Sequence, residues 1–502
     1  MLDHLFFPLR FRSLLCSPLG MVADGAAAQP AVPAENVSRA EDLQAVAVTI
    51  YNQDLALIRE ERDVKLTAGR NVLALRDVSG QIKPETASLR SLSGACLTLR
   101  EQNFDFDLLT PRKLLDKYVG KAVTVVRARG SGGRETREQA MVLANNASIA
   151  WDEDAAALSK NIVLQYADRI ETGLPGQARI VYDSVPATLR DRPTLVVDLD
   201  SDKDGVQRVE LSYLASGLSW KAAYVATLAD DEQTLELAGW VTLTNESGAT
   251  YENARLQLAA GDVNRVHDEF GEGAKASRLR FSIALDAPAP EPIKREEFFE
   301  YYLYTLQRHT TLRDQQTKQV ALLTAARVPI QKEYRMEGLK DWYYEKNETP
   351  ERGDKRGVEV FVEFQNKDGD LGQPLPKGVV RVYKKNKEGR PLFIGEDRIG
   401  HTSKNEQVSL KLGKTFDITC NWKRTDFLRI SEHVTEMEIV IELSNAKDTP
   451  VTVRVVEPIP GDWKILQEIY QHTKTRAHLA MWDVAVPADG KTALVYRVRI
   501  NW

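Results

Sequence analysis

Short segments of alternating apolar and polar residues recur along almost the whole chain, and this pattern most constrains its fold. Glycine, proline or asparagine separates the segments roughly every eight to twelve residues. Such alternation is typical of strands with one buried and one solvated face, and strands at this spacing are typical of all-β proteins. Sustained helical periodicity is nearly absent. The sequence therefore predicts a mainly β protein with few short helices.

A block of aromatic and β-branched residues near the middle of the chain divides this pattern in two. It contains FFEYYLYTL at residues 298–306 and TKQVALL at residues 317–323, separated by a polar segment. Aromatic and β-branched side chains favour a pleated, half-buried surface. We interpret the block as two strands joined by a polar turn, lying between two β-sandwich-like halves.

One segment combines the start and stop signals of a short helix. Thr110 can cap the helix, Pro111 suits its first position and Gly120 suits its end. Short predicted strands with tight turns follow it up to residue 172, one of them at residues 148–152, and this favours a small inserted β-barrel. The predicted organisation is a leader and linker, a first half in two pieces, the inserted barrel-like domain between those pieces, and a second half. The respective ranges are 1–41, 42–110 with 173–300, 111–172 and 301–502.

The first residues resemble a secretory signal peptide. Arg10 and Arg12 precede a short apolar run at residues 14–23, and small residues allow cleavage after Ala28. No apolar run reaches the length of about 18 residues that a membrane-spanning helix needs. The pattern predicts a periplasmic or secreted protein without a transmembrane helix. Asp3 is unusual in such a leader, and a cytoplasmic location is the alternative.

Charge and cysteine content narrow the class further. The net charge of -5 argues against a nucleic-acid-binding protein, which usually carries a basic face. The one basic cluster, KKNKEGR at residues 384–390, is interpreted as a solvated hairpin turn. Cys96 and Cys420 are expected to pack as small apolar side chains, because the three cysteines, with Cys16 in the leader, form no disulfide framework.

Two patterns resemble metal sites, but each lacks a ligand or the spacing that such a site requires. DSDKDG at residues 200–205 looks like a calcium loop, but Leu211 stands where an EF-hand has its glutamate, and a hairpin turn is favoured. His472 and His478, with Asp483 further on, lack the regular spacing of a zinc site. No nucleophile elbow, phosphate loop or dinucleotide fingerprint occurs. The sequence therefore indicates no catalytic, cofactor-binding or metal-ligating residue, and no cofactor.

Aromatic residues are the better candidates for a binding surface. On a strand, Tyr302 and Tyr304 share one face, which is either packed between the two halves or open to a partner. Trp342, Tyr343 and Tyr344 stand together in a charged segment and are interpreted as exposed. Aromatic surfaces suit both protein and glycan partners. These five residues form the predicted binding surface.

Seven motifs point to a known family. They are YYLYTL (301–306), TKQV (317–320), LSYLASGLSWKAAY (211–224), LTNESG (243–248), ARLQLAAG (254–261), EPIPGDW (457–463) and VAVPADGK (484–491). With these motifs the chain resembles the bacterial family of the domain of unknown function 4139, the mucoidy-inhibitor-A-like proteins. The resemblance runs from about residue 46 to the end, without the N-terminal coiled coil that many members carry. It implies an exported, β-rich bacterial protein, and it assigns no catalytic residue because the family has no established activity.

Together these features favour an extracytoplasmic binding, structural or assembly component of the bacterial cell envelope over an enzyme. Its partner would be an envelope protein or a glycan, and nucleic acid is not expected. Self-association through exposed strand edges is left open. The alternative is a hydrolase acting on a cell-wall or glycan substrate. Its site would lie between the two halves, near the aromatic block and the loop at residues 262–292.

Overall fold

The structure of the chain is a computed structural model. It describes residues 34–502 except 53, 130–133, 146–161, 175–177, 187, 262–293, 345–353 and 368–369. Strands dominate, and the prediction of a mainly β protein with few short helices is confirmed. In the described part of the chain, no helix has the length and apolar character needed to cross a bilayer.

The elements are numbered in chain order. The strands before residue 261 are β1 (Glu35–Ser38), β2 (Leu43–Tyr51), β3 (Leu55–Leu66), β4 (Gly69–Arg76), β5 (Ser88–Ser91), β6 (Leu97–Asp105), β7 (Ala122–Arg129), β8 (Arg134–Asn145), β9 (Ile162–Gln165), β10 (Ile170–Thr172), β11 (Ala178–Val181), β12 (Thr194–Ser201), β13 (Gly205–Ala215), β14 (Leu218–Leu228), β15 (Thr234–Asn245) and β16 (Tyr251–Ala260). The later strands are β17 (Lys294–Phe298), β18 (Tyr301–Thr305), β19 (Thr310–Leu312), β20 (Gln316–Pro329), β21 (Gln331–Glu337), β22 (Asp354–Gln365), β23 (Gly378–Lys385), β24 (Pro391–Ile399), β25 (Gln407–Arg429), β26 (Val434–Asn445), β27 (Val451–Glu457), β28 (Asp462–Glu468), β29 (Thr473–Arg476), β30 (Leu479–Val486) and β31 (Gly490–Asn501). The α-helices of the described residues are α1 (Pro111–Lys117) and α2 (Asp341–Tyr344).

Three sheets enclose the first apolar core. Their strand orders are β1-β4-β12-β6, β17-β18-β16-β2-β3-β13-β5 with β19 added on β16, and β20-β15-β14-β23-β24. Sequence alternation explains the packing: on β13, Val209, Leu211 and Tyr213 are buried, while the residues between them are at least partly exposed. The buried side chains of facing sheets form one continuous cluster.

The first core continues beyond the aromatic block at residues 298–306. Strand β14 pairs with β23 in parallel, and β15 pairs with β20 in antiparallel orientation, so strands from both sides of the block share one sheet. Val362, Val382 and Leu410 are all buried in this core. The domain boundary at residues 300 and 301 stays a prediction, whereas the packing shows that the first sandwich takes strands from both ranges.

A nine-stranded sheet forms the second core. Its order is β28-β31-β26-β25-β22-β21-β27-β30-β29. The sheet curves so that β30 comes to lie against β31, where the rings of Trp482 and Tyr496 stack with centroids 4.7 Å apart. The enclosed cluster contains Ile439, Val455 and Leu494, all fully buried.

One long ribbon, formed by β22 and β25, takes part in both cores. Val362 on β22 and Leu410 on β25 are buried in the first core, whereas Val358 and Cys420 on the same two strands are buried in the second. The pairing register shifts between Val358 and Val362, where the ribbon passes from one core to the other. Such bulges bend a ribbon and increase its twist, so the same two strands can serve two cores.

The inserted domain has its own core but is not a barrel. Its sheet runs β10-β9-β8-β7-β11 and stays open, because β10 and β11 lie at opposite edges and do not pair in the described residues. The predicted barrel is therefore wrong in its closure. Helix α1 packs on the sheet through Leu115, and the sheet extends past the predicted end at residue 172 to include β11. The strand predicted at residues 148–152 lies outside the described residues.

The local signals of α1 are confirmed. The Thr110 hydroxyl accepts a hydrogen bond from the Lys113 N–H at 3.2 Å, and Pro111 opens the helix. Gly120 follows with a φ of 81°, a left-handed conformation that glycine adopts without steric cost.

The interpretation of the basic cluster as a hairpin turn is confirmed, because β23 and β24 pair in antiparallel orientation. The acidic cluster at residues 200–205 is also a turn, but the prediction of a hairpin is wrong there, because the strands that flank it lie in different sheets. The basic cluster forms the exposed turn between β23 and β24, where Asn386 accepts hydrogen bonds from the backbone of Glu388 and Arg390. The acidic cluster forms the turn between β12 and β13. Its Asp202 and Asp204 carboxylates accept from backbone N–H groups of neighbouring loops at 2.7 Å each. Cys420 is buried and Cys96 half-buried, and neither forms a disulfide.

Candidate functional site

A groove of about 750 Å³ lies where β20 passes into β21 beside β22, at the border of the first core and the nine-stranded sheet. Phe364 and Leu371 contribute to its apolar floor and are almost fully buried. Arg327, Gln331 and Gln365 are exposed along its rim. An apolar floor with a few polar groups is the usual make-up of a ligand site. We call this feature the junction groove.

Among the described lining residues, Glu363 is the one carboxylate that belongs to a β-strand. Three hydrogen-bond donors hold its side chain in the groove wall. Its Oε1 accepts from Ser409 Oγ at 2.9 Å and from Arg335 Nη2 at 3.0 Å. Its Oε2 accepts from Gln407 Nε2 at 2.6 Å. Charge-assisted bonds of this kind orient a side chain strongly. Glu363 therefore serves as a fixed acceptor in the wall of the groove.

The Glu363 network extends away from the groove along the nine-stranded sheet. Arg335 also donates to Glu333 at 2.6 Å, and Arg454 bridges Glu333 to Asp483. Glu333 is only 7% exposed, so this chain of charges is partly shielded from solvent. The network fixes β21 relative to β22, β27 and β30, and it thereby sets the shape of the groove beside it.

The two tyrosines of the aromatic block pack on the first core. Tyr304 is 1% exposed, and its hydroxyl donates to the carbonyl of Pro374 at 2.9 Å. Tyr302 is half-buried against the same core. Burial raises the pKa of Tyr304 well above its usual value. Tyr304 thus holds the segment before β23 to the first core, and its ring is not accessible to a partner in this structure.

The second predicted aromatic group is a short helix rather than an exposed loop. The ring of Trp342 lies 4.3 Å from that of Trp422, and Tyr344 is 47% exposed beside Trp502. Tyr343 is 1% exposed and points into the second core. The structure therefore does not join the five predicted residues into one surface. Only Tyr344 among them is well exposed.

Tyr343 leads to a buried acid that sequence reasoning missed. Its hydroxyl donates to Glu457 Oε2 at 2.6 Å and lies 2.7 Å from the hydroxyl of Tyr496. Glu457 is fully buried, and burial raises its pKa to about 8, although the bond from Tyr343 and the charge of Arg356 oppose the rise. At neutral pH the group is therefore mainly a neutral acid. Because it has no solvent access, it acts in packing here rather than on a substrate.

The position of Glu457 was readable in the sequence. On β27, Val453, Val455 and Glu457 alternate and so face the same side. An alternating strand that ends in a glutamate on its apolar face is a signal for a buried acid. Gly338 leaves room for it, because a Cβ at this position would lie 2.4 Å from Glu457 Oε2.

The histidines singled out in the sequence are not brought together as ligands. His472 Nδ1 lies 2.9 Å from a Glu468 oxygen, His478 is exposed, and Asp483 pairs with Arg454. In the described ranges, no group of three histidine, cysteine, aspartate or glutamate side chains is placed to hold a metal ion. The loop at residues 262–292, where an alternative site was predicted, lies outside the described residues.

The fold and these sites define a mainly β protein with several open sheets and a groove between two cores. The model of a family described as a domain of unknown function (DUF4139) matches residues 209–502, which is more than half of the chain. The chain belongs to that family. No curated protein matches it. The matched range begins in β13 and includes the junction groove, the β22–β25 ribbon and the second core.

Proposed function

We propose that the protein is an exported binding component of the bacterial cell envelope and that the junction groove is its ligand site. The observation that carries the proposal is the uncommitted polar rim over an apolar floor. Among the described residues, the side chains of Gln331 and Gln365 make no hydrogen bond, although both face the groove. Amide groups both donate and accept, so they suit a ligand with many hydrogen-bonding groups.

An extended glycan or a segment of an envelope protein fits this chemistry. The groove is partly open to solvent, and its rim offers amides and the cations Arg327 and Lys367. The leader at residues 1–28 supports export, because it combines basic, apolar and small residues in the order of a secretory signal. Cell-wall glycan or an envelope protein is then within reach of the groove.

Binding to soluble cell-wall glycan fragments, measured by calorimetry, tests this proposal. Gln331→Ala with Gln365→Ala should weaken binding roughly tenfold or more, since each lost hydrogen bond contributes about 1 kcal/mol. Gln467→Ala with Gln471→Ala is the matched control, because both glutamines are exposed outside the groove. Equal affinity for the groove variant and the wild type contradicts a glycan site in the groove. Cross-linking from position 365 in the native envelope then tests whether the ligand is a segment of an envelope protein instead.

The same samples test the hydrolase alternative. Glu363 is a carboxylate in the groove wall, which is the feature that such an enzyme would use. A hydrolase would cleave the bound fragments and lose that activity in Glu363→Gln. The binding proposal expects the fragments to be recovered intact. Cleavage that Glu363→Gln abolishes would replace the binding proposal with the enzymatic one.

A further inference from the structure

The end of the β23–β24 hairpin exposes an unusual run of apolar residues. Pro391, Leu392, Phe393 and Ile394 are consecutive and exposed, the last three by 54%, 56% and 37%. Neighbouring residues on a strand point to opposite faces, so Leu392 and Phe393 lie on different faces, and Ile394 is the extra residue of a β-bulge. Three or more consecutive exposed apolar residues are rare unless they have a function.

Basic residues surround this apolar run. The turn carries Lys384, Lys385, Lys387 and Arg390 against one acid, Glu388, which gives a local net charge of +3. Lys384 pairs with Glu232, and Arg390 pairs with Glu388. Lys385 and Lys387 are exposed and have no ion-pair partner among the described residues. The hairpin end therefore has a basic turn at its tip and an apolar run directly behind it on β24.

The turn is ordered by its own hydrogen bonds. Asn386 Oδ1 accepts from the N–H groups of Glu388 and Arg390 at 3.1 and 2.9 Å, and Gly389 supplies the positive φ of 78° that the turn needs. Behind the turn, the register partners Tyr383 and Phe393 pack against each other with ring centroids 5.7 Å apart. The hairpin end is thus a preformed shape with apolar side chains on both faces.

We propose that this hairpin end docks on an anionic lipid surface by one face of the ribbon, with Phe393 between the headgroups and Lys385 and Lys387 at the level of the phosphates. Basic residues near an apolar segment are attracted to anionic lipids, and the apolar side chains add burial in the interface. The whole chain has a net charge of -5, so an anionic surface attracts it only where the local charge is reversed. The proposal does not depend on the junction groove or on its ligand.

A second copy of the chain fits this end less well. Lysine and proline on an edge strand are usual means of preventing strand-to-strand pairing, and Lys385 and Pro391 are register partners here.

Vesicle flotation of the full chain tests the proposal. The probes are vesicles of phosphatidylcholine alone and of phosphatidylcholine with phosphatidylglycerol. The wild type should float with the anionic vesicles and be released by salt. Lys385→Glu with Lys387→Glu should reduce the bound fraction at least about tenfold, since each basic residue near the surface contributes about one kcal/mol and the reversal adds repulsion.

A second pair of variants separates the apolar contribution from general exposure of aromatic residues. Leu392→Ser with Phe393→Ser should lose flotation while the far-ultraviolet spectrum is unchanged. Phe298→Ser with Phe299→Ser is the matched control, because these phenylalanines are 59% and 80% exposed in a turn that carries Glu297 and Glu300. The control should float like the wild type.

Three outcomes would overturn the proposal. The first is no flotation of the wild type with anionic vesicles. The second is unchanged flotation of both hairpin variants. The third is a concentration-dependent dimer that Leu392→Ser with Phe393→Ser abolishes, because it would make the hairpin end a self-association surface. Each outcome leaves the groove proposal untouched, since the groove variants are measured without lipid.

Discussion

Glu457 shows most clearly how a single residue couples packing to solution conditions. It lies on the inner face of β27 with no solvent exposure, and the hydroxyl of Tyr343 is its 2.6 Å neighbour. A charged carboxylate in such a place loses its hydration, so the protonated form is favoured. The folded protein therefore holds this proton to a higher pH than the unfolded chain does.

The pH dependence of stability follows from this difference. The pKa of Glu457 rises from 4.5 to about 8 on folding, so between these pH values the folded state binds more protons than the unfolded state. The free energy of unfolding should then fall as pH rises through this window, by about 1.4 kcal/mol per pH unit at most. Glu457→Gln should remove this loss, which equilibrium denaturation at about pH 5 and about pH 8.5 would reveal. An exposed control, Glu432→Gln, should keep it, and a Glu457→Gln variant with the wild-type pH dependence would contradict the buried acid.

Tyr304 allows a graded test of the first core. Tyr304→Phe loses only the hydrogen bond to Pro374 and should cost about 1 kcal/mol of unfolding free energy. Tyr304→Ser also removes a buried ring and should cost about 3–5 kcal/mol, and adding Tyr302→Ser should cost more. Tyr344→Ser is the control at an exposed tyrosine, with an expected change within about 1 kcal/mol. Unchanged melting of the Tyr304→Ser variant would show that this ring is not packed as described.

At the scale of elements, the sequence predicted structures that depend on local signals better than it predicted which distant strands pair. Thr110, Pro111 and Gly120 predicted α1 because capping, a fixed φ and a left-handed stop depend on neighbouring residues alone. Closure of the inserted sheet depends instead on whether its two edge strands meet, and within the described residues β10 and β11 stay at opposite edges. The shared sheet of β14 and β23 could not be predicted either, since their parallel pairing joins residues that are far apart in the chain, such as Ala222 and Gly378.

The candidate sites also differ in whether the sequence alone could have predicted them. Alternation on β27 places Glu457 on the buried face, and this could have been read from the sequence. The junction groove could not, because its floor and rim come from β20, β21, β22 and β25, which only the tertiary fold brings together. The block at residues 342–344 was misplaced because its charged neighbours suggest exposure, whereas the helix turns Tyr343 inward.

The cap of α1 tests an element in isolation. Thr110→Ala removes the acceptor for the Lys113 N–H and should destabilise the helix by about 1 kcal/mol. Hydrogen exchange should speed up in α1 and in β8, which α1 contacts, and stay unchanged in the nine-stranded sheet. Thr110→Ser should restore the cap. Equal exchange in Thr110→Ala and the wild type would mean that the cap does not stabilise this helix.

At the scale of the whole molecule, the β22–β25 ribbon joins the two large cores. Both strands bury side chains in each core, so neither core can open fully without disrupting the ribbon. The inserted domain instead buries its apolar residues in a separate cluster. The molecule thus combines one coupled unit, which contains the junction groove, with a domain that is packed independently.

Native-state hydrogen exchange can measure this coupling. Amides of β13 in the first core and of β26 in the second should exchange with the same free energy of opening, because a shared ribbon makes them one cooperative unit. Amides of β7 should open with a lower free energy, since their core is smaller and separate. A second core that opens well before the first would contradict the coupling through the ribbon.

The central claim is that this member of the DUF4139 family works outside the cytoplasm as a binding component of the envelope, and its location is the most direct test. The native protein should be fractionated from the cells that make it, and the N-terminus of the mature chain should be sequenced. We expect it in the periplasmic or envelope fraction, with a chain that begins at Gln29 after cleavage behind Ala28. A protein found only in the cytosol with its leader intact would contradict the proposal.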